Sequence, residues 1–174
     1  VTQDNMNTLK KYGMEVITPA SGRLACGDVG AGKMPEPDVL FEHIVRACAC
    51  EKDMKGLKVL VTAGPTQEAI DPVRYITNHS SGKMGYSIAK ACMLRGADVT
   101  LVTGKTSIKP PMFTTVVPIT SAQDMYEAVT SRSNEMDIVI KSAAVADYRP
   151  SNVPTEKVKK KDGDMTIPLE RTND

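Results

Sequence analysis

LKVLVTAGPTQEAIDPVRYITNHSSGKMGYSIAKACMLRGADVTLVTG, residues 57–104, is the stretch whose reading decides the fold. Lys58–Ala63 is a short, β-branched apolar run closed by Gly64-Pro65, the pattern of a buried strand. Met84, Ile88, Ala91 and Cys92 recur at helical spacing, and Gly96 after Arg95 stops that helix. Val99–Val102 is a second strand. Together they make one βαβ unit, so the expected class is α/β: a Rossmann-like three-layer sandwich with a mostly parallel sheet. The connection from Gly64 to about Gly82 is far longer than such links usually are, and loops of that length inside a compact unit are usually functional.

That loop carries chemistry. Ser80-Ser81-Gly82-Lys83-Met84-Gly85 places hydroxyls, glycines and a cation where the helix begins. Unpaired N–H groups and the positive end of the helix dipole hold phosphate there. Serine is also a favoured N-cap, so the same residues suit an ordinary capped helix. Arg74 and Asn78 on the loop favour an anion site.

The dinucleotide fingerprint is absent. Gly64-Pro65-Thr66 is followed by a detour, and the second strand ends Leu101-Val102-Thr103-Gly104 without the carboxylate that would hold a ribose. Two P-loop look-alikes also fail. Gly104-Lys105-Thr106 lacks a leading glycine because position 99 is Val99, and Gly27–Lys33 runs into Met34 instead of Ser or Thr.

The chain has 174 residues, enough for one domain or one domain with a fragment. A net charge of +1 gives no reason to expect nucleic acid or an anionic membrane as partner. Neither a membrane-length apolar run nor a secretory signal is visible, and Val1 reads as a start inside a domain. Cys26, Cys48, Cys50 and Cys92 form no C-x-x-C pair, so free thiols in a reducing cytoplasm are expected. His43 and His79 are isolated, and His43 reads as a surface residue.

Before the linker, Asn5–Tyr12 is an expected helix stopped by Gly13, Glu15–Thr18 a short strand and Pro19–Gly22 a turn. Arg23–Lys33 is glycine-rich and reads as a mobile loop, and Asp38–Cys50 as a helix with Pro37 in its first turn. The expected domains are residues 1–50, a polar linker at 51–56, and residues 57–174.

After Gly104, Thr115–Ile119 reads as a strand that Pro118 confines to an edge. Ser121-Ala122-Gln123-Asp124 opens a helix to about Ser133 in the manner of a capping box. Asp137–Ile140 is a further strand, running into Lys141-Ser142-Ala143-Ala144-Val145-Ala146-Asp147. Ligands of doubly wound sheets sit outside the carboxyl ends of strands near the switch point, which sets Ala143–Asp147 beside the first strand's loop. Small residues there let a base or ribose lie against the backbone, and Asp147 suits a hydroxyl, a metal or simply a turn. Lys157–Lys161 is a solvated face or a phosphate clamp. Asp162-Gly163 signals a turn, and Met165–Leu169 an expected strand that closes a hairpin flap.

Gly64-Pro65-Thr66, Asp71–Tyr75, Asn78–Gly85, Ala143–Tyr148 and Lys157–Lys160 resemble the phosphopantothenate–cysteine ligase domain of the bacterial bifunctional coenzyme A biosynthesis proteins. The resemblance runs from about Gly56 to Asp174. The first 35 residues are similar to the end of the partner domain, a flavodoxin-like, FMN-dependent phosphopantothenoylcysteine decarboxylase. Ala25-Cys26-Gly27-Asp28 resembles that family's substrate clamp, whose cysteine is a proton donor.

The resemblance implies a CTP-dependent ligation in two steps. The carboxylate of 4′-phosphopantothenate attacks CTP to give an acyl-cytidylate and pyrophosphate, and cysteine's amine then displaces CMP. It assigns Lys157 to the first step and Asn78 to holding the acyl-cytidylate, with Arg74 assisting near Asn78. Nucleotide contacts fall on Gly64, Ser80, Ser81, Gly82, Lys83, Met84, Lys141, Ser142, Ala143, Ala144, Asp147, Lys157, Lys160, Asn173 and Asp174. It further implies Mg2+ with the nucleotide, through ligands it does not name, and a homodimer through the ligase domain within a higher oligomer. Most of the flavin-binding domain would lie upstream of Val1, so this chain by itself is expected neither to bind FMN nor to decarboxylate.

Overall fold

The computed structural model describes residues 1–23, 27–160 and 162–173. The chain divides into two compact units, Val1–Cys50 and Glu51–Asp174.

The first unit contains α1 (Thr2–Lys11), β1 (Ala20–Arg23), β2 (Val29–Lys33) and α2 (Pro37–Cys48). Gly13, at φ 82°, ends α1 as expected. The expected strand at Glu15–Thr18 does not form. Instead Ala20–Arg23 pairs antiparallel with Val29–Lys33, so the expected turn and mobile loop are two strands of a hairpin. The glycines hid it, because strands are normally depleted in glycine. Here the bare Gly22 lies against the Lys33 stem, where a Cβ would sit 3.3 Å from Lys33 Cδ. His43, expected on the surface, is largely covered and bonds Glu15 Oε1 through Nδ1 at 3.0 Å.

The second unit holds β3 (Lys58–Ala63), β4 (Gln67–Ala69), β5 (Tyr75–Thr77), α3 (Lys83–Leu94), β6 (Asp98–Thr103), β7 (Thr115–Pro118), α4 (Ala122–Ser133), β8 (Ile138–Lys141), β9 (Tyr148–Pro150) and β10 (Leu169–Arg171). Its main sheet is parallel, in the order β7-β6-β3-β8. Chain direction across the sheet reverses between β3 and β8, which makes their carboxyl ends the switch point.

Burial explains why β3 is a continuous apolar run. Val59, Val61 and Ala63 meet Tyr86, Ala89, Cys92 and Met93 of α3 on one face, while Leu60 meets Met125 and Ala128 of α4 on the other. With helices on both sides every β3 position after Lys58 is buried, and each Val or Leu so covered contributes about 1.5–3 kcal/mol. Ser121 and Asp124 complete the capping box expected of α4. β7 is an edge strand, as Pro118 requires.

Three local expectations change. Residues 51–56 are not a free linker: Met54 is buried in the core, its N–H donates to Arg95 O at 3.0 Å, and Asp53 pairs with Arg95. The long loop after β3 is folded as the β4–β5 hairpin. It is pinned to the start of α4, because Gln67 N–H donates to Thr120 O and Ala122 N–H donates to the buried Glu68 carboxylate, both at 2.8 Å. Met165–Leu169 does not return along the lysine run. Leu169–Arg171 pairs with Tyr148–Pro150 instead, a register in which Pro150 sits at a strand end.

Candidate functional site

β3 and β8 deliver their carboxyl ends side by side, and the loops leaving them are knitted together. Ala144 N–H donates to Gly64 O at 2.9 Å and Thr66 N–H to Ala144 O at 3.2 Å, forming an isolated parallel bridge between Pro65 and Ala144. The buried Thr66 hydroxyl accepts Ala146 N–H at 2.9 Å. Asn78, just after β5, donates its amide to Ala144 O at 3.3 Å and Val145 O at 3.1 Å. Thr172 closes the other side, its N–H on Asp147 O at 3.0 Å and its hydroxyl on Ala146 O at 2.6 Å. The segment 143–147 is therefore held from three directions by neighbours distant in sequence.

Between this segment and α4 lies a cavity of about 340 Å³. Met125, Tyr126 and Val129 wall it from the helix, while Lys141, Asp147 and Asn173 bring polar groups. An apolar wall with a few convergent polar groups is the usual build of a small-molecule site. Ser142 has a buried Oγ with no hydrogen-bond partner, but it alternates with the lining residues Lys141 and Ala143 and does not itself line the cavity. Such an atom carries an unmet desolvation cost.

The start of α3 is a separate cluster. Gly82 is its N-cap, left-handed at φ 73°, and no side chain caps the helix. The serine cap is thus absent, although Ser81 Oγ lies 3.4 Å from Lys83 N. Lys83 and Met84 are exposed. The glycines here serve internal packing. A Cβ at Gly82 or Gly64 would sit 2.8 or 2.9 Å from the Thr106 methyl, and one at Gly85 would sit 2.5 Å from Ala63 Cβ. On the side a Cβ would occupy, Gly64 and Gly82 face Thr106. Ser80–Met84 are not among the residues lining the cavity; Gly82 instead sits against Gly64 at the carboxyl end of β3.

The lysine run is positioned by a third cluster. Asp71, with no exposed side-chain surface, accepts N–H groups from Val73 at 2.9 Å and Arg74 at 2.8 Å on Oδ1. Its Oδ2 accepts Arg74 Nε at 3.0 Å, Arg74 Nη2, and the Val158 N–H at 3.1 Å. The Arg74 side chain, followed by its own burial and by these backbone donors, sets the Asp71 pKa, and the balance holds the carboxyl well below the usual range. Arg74 Nη2 also donates to Val158 O at 3.0 Å. The guanidinium is thus engaged by Asp71 and Val158. It stands before β5 and Asn78 after it, about 13 Å apart along an extended chain, so the two expected neighbours are not adjacent. Lys157 and Lys160 are exposed on either side of Val158.

Cys26 and Asp174 lie outside the described residues. Sequence reasoning missed the cavity wall of α4, although Met125, Tyr126 and Val129 at helical spacing could have marked it. It also missed Asp71, whose Asp-Pro context reads as a turn.

Residues 54–174 match the profile of the DNA/pantothenate metabolism flavoprotein C-terminal domain. The chain belongs to this family. Residues 1–49 match a second profile, Flavoprotein. The Coenzyme A biosynthesis bifunctional protein CoaBC of Vibrio vulnificus is 49% identical over 180 residues, covering 99% of this chain and 43% of that protein. This chain therefore spans less than half of that curated relative. Among solved structures, the C-terminal domain of a Coenzyme A biosynthesis bifunctional protein CoaBC aligns with TM-score 0.60 at 51% identity, over 70% of this chain and 56% of that one. The DNA/pantothenate metabolism flavoprotein from Streptococcus pneumoniae aligns with TM-score 0.61 at 30% identity, over 68% and 62%. Among the described residues, no helix is long and apolar enough to cross a membrane.

Proposed function

We propose that residues 51–174 carry the nucleotide-handling part of a CTP-dependent phosphopantothenate–cysteine ligase acting in coenzyme A biosynthesis. The observation that carries this reading is the cavity at the switch point, where Lys141, Ala143, Asp147 and Asn173 converge. Lys141, Ser142, Ala143, Asp147 and Asn173 are among the residues that the family resemblance assigns to CTP.

In this reading cytosine and ribose lie against Ala143–Asp147, with Asp147 accepting a sugar hydroxyl. The 4′-phosphopantothenate carboxylate attacks the α-phosphorus of CTP, the bond to the bridging oxygen breaks, and pyrophosphate leaves. Lys157 faces the phosphates and offsets the charge moving onto pyrophosphate. Cysteine's amine then attacks the acyl carbon, and CMP departs as the amide forms. Asn78 holds the wall against which the acyl-cytidylate rests. Ser80–Met84, beside Gly64 at the carboxyl end of β3, are proposed to meet the nucleotide's phosphates.

Magnesium enters with the nucleotide. An ion of this kind is bound largely through the substrate phosphates. FMN is proposed for the decarboxylase domain of the intact protein, to which the first unit's Flavoprotein match points, and no step is assigned to it here. A cytoplasmic homodimer accords with the same reading.

The test is Lys157→Gln in the complete protein, with pyrophosphate release measured in the presence of CTP and 4′-phosphopantothenate. Release should be suppressed while the fold is intact, because one exposed lysine contributes little to stability. Unchanged release would remove Lys157 from the reaction.

A further inference from the structure

We infer that Asp71 is a positioning residue: through Arg74 and the backbone of Val158 it holds the lysine-bearing segment in place. The assignment rests on the reading of Lys157 as the residue that faces the phosphates.

Four of the five hydrogen bonds to the Asp71 carboxylate are local, from Val73 and Arg74, and would suffice for a turn. Val73 N–H and Arg74 N–H bind Oδ1, and Ile70 N–H donates to Arg74 O at 2.8 Å, which closes the tip of the β4–β5 hairpin. The fifth reaches out of the hairpin. Oδ2 accepts Val158 N–H, and Arg74 Nη2 donates to Val158 O, so one ion pair satisfies both backbone groups of a single distant residue.

Among the described residues of 152–167, the hydrogen bonds fall on Val158 alone, which leaves that stretch this one polar tether. The segment lacks regular secondary structure, and the side chains of Lys157, Lys159 and Lys160 are in solvent. An unpaired stretch of this kind would sample many positions, and a cation moved by about 1 Å from a reacting phosphate can cost on the order of 100-fold in rate. Asp71 removes that freedom at the residue next to Lys157. A carboxylate is well matched to this role, since it accepts the Val158 N–H while neutralising the guanidinium that grips the Val158 carbonyl.

The test compares the complete wild-type protein with Asp71→Asn and Lys157→Gln. It measures hydrogen exchange of residues 157–160 by mass spectrometry alongside CTP-dependent pyrophosphate release. Asp71→Asn should raise exchange about tenfold across 157–160 and lower kcat on the order of 100-fold per folded molecule. Lys157→Gln should abolish release and leave the Val158 amide protected. Val158→Pro deletes the N–H without touching Asp71 or Arg74, and it should reproduce the loss if Asp71→Asn fails to fold. Unchanged exchange in Asp71→Asn, or faster exchange with full turnover, would overturn the assignment. A lowered melting temperature with normal kcat would also overturn it, leaving Asp71 purely structural. A wild-type protein that releases no pyrophosphate would instead overturn the ligase reading, and the exchange results would then judge the clamp alone.

Discussion

Asp71 and Val158 are 87 residues apart in the chain, yet the buried Asp71 carboxylate accepts the Val158 N–H at 3.1 Å. That contact joins the hairpin inserted after the first strand of the sheet to the lysine run. The inserted segment thus contacts two parts of the chain that are distant in sequence. Asn78, after its second strand, bonds the cavity wall, while Asp71 and Arg74 at its tip bond Val158 within the lysine run.

Acid should open this contact late. The Asp71 pKa is depressed in the folded protein below its ordinary 3.8, so its stabilisation is complete above that value and is lost as pH falls through the lower folded value. Among the described residues, the charged side chain bonded to the carboxylate is that of Arg74, which keeps its charge throughout. Hydrogen exchange at Val158 should therefore stay slow from pH 7 to pH 4 and accelerate only in stronger acid. Acceleration already between pH 6 and pH 5 would contradict the assignment of the carboxylate as the holding group.

Gly85→Ala should loosen the core without touching the cavity. The added Cβ would lie 2.5 Å from Ala63 Cβ and 2.9 Å from Thr62 O, so α3 must lift from β3. Overpacking of this kind costs about 1–3 kcal/mol, to be read as a lower denaturation midpoint. An unchanged midpoint would mean that the helix is not seated on the strand this closely.

Much of this was legible in the sequence because it rests on local pattern. The β3 boundaries, Lys58–Ala63, follow from an apolar run cut by Gly64-Pro65, and the α4 cap follows from Ser121 and Asp124. The pairings were not legible. The β1–β2 hairpin is built on glycines that strands usually avoid, and β9 finds β10 across the whole lysine segment. The glycines around Gly82 illustrate a subtler limit. Their number announced a close approach, but only the fold reveals that the approaching group is Thr106 of the same chain. The Asp71 clamp belongs with these, since no spacing rule links a turn aspartate to a residue so far away.

Ser142→Ala separates a binding role from a structural one. Its buried Oγ has no partner, so deleting it should leave the free protein equally stable or more stable by up to about 1 kcal/mol. If Ser142 makes the nucleotide contact that the family resemblance assigns to it, CTP affinity measured by calorimetry should fall about tenfold. A destabilised variant with unchanged CTP affinity would contradict a binding role for this hydroxyl.

The central claim is the ligation itself, and pyrophosphate release by the complete protein tests it most directly. The protein is given 4′-phosphopantothenate and each nucleoside triphosphate in turn, with and without cysteine. A ligase of this kind should release pyrophosphate with CTP only when phosphopantothenate is present, and should form the amide only once cysteine is added. CTP binding without release under any of these conditions would contradict the ligation and leave the cavity a nucleotide-binding site without catalysis.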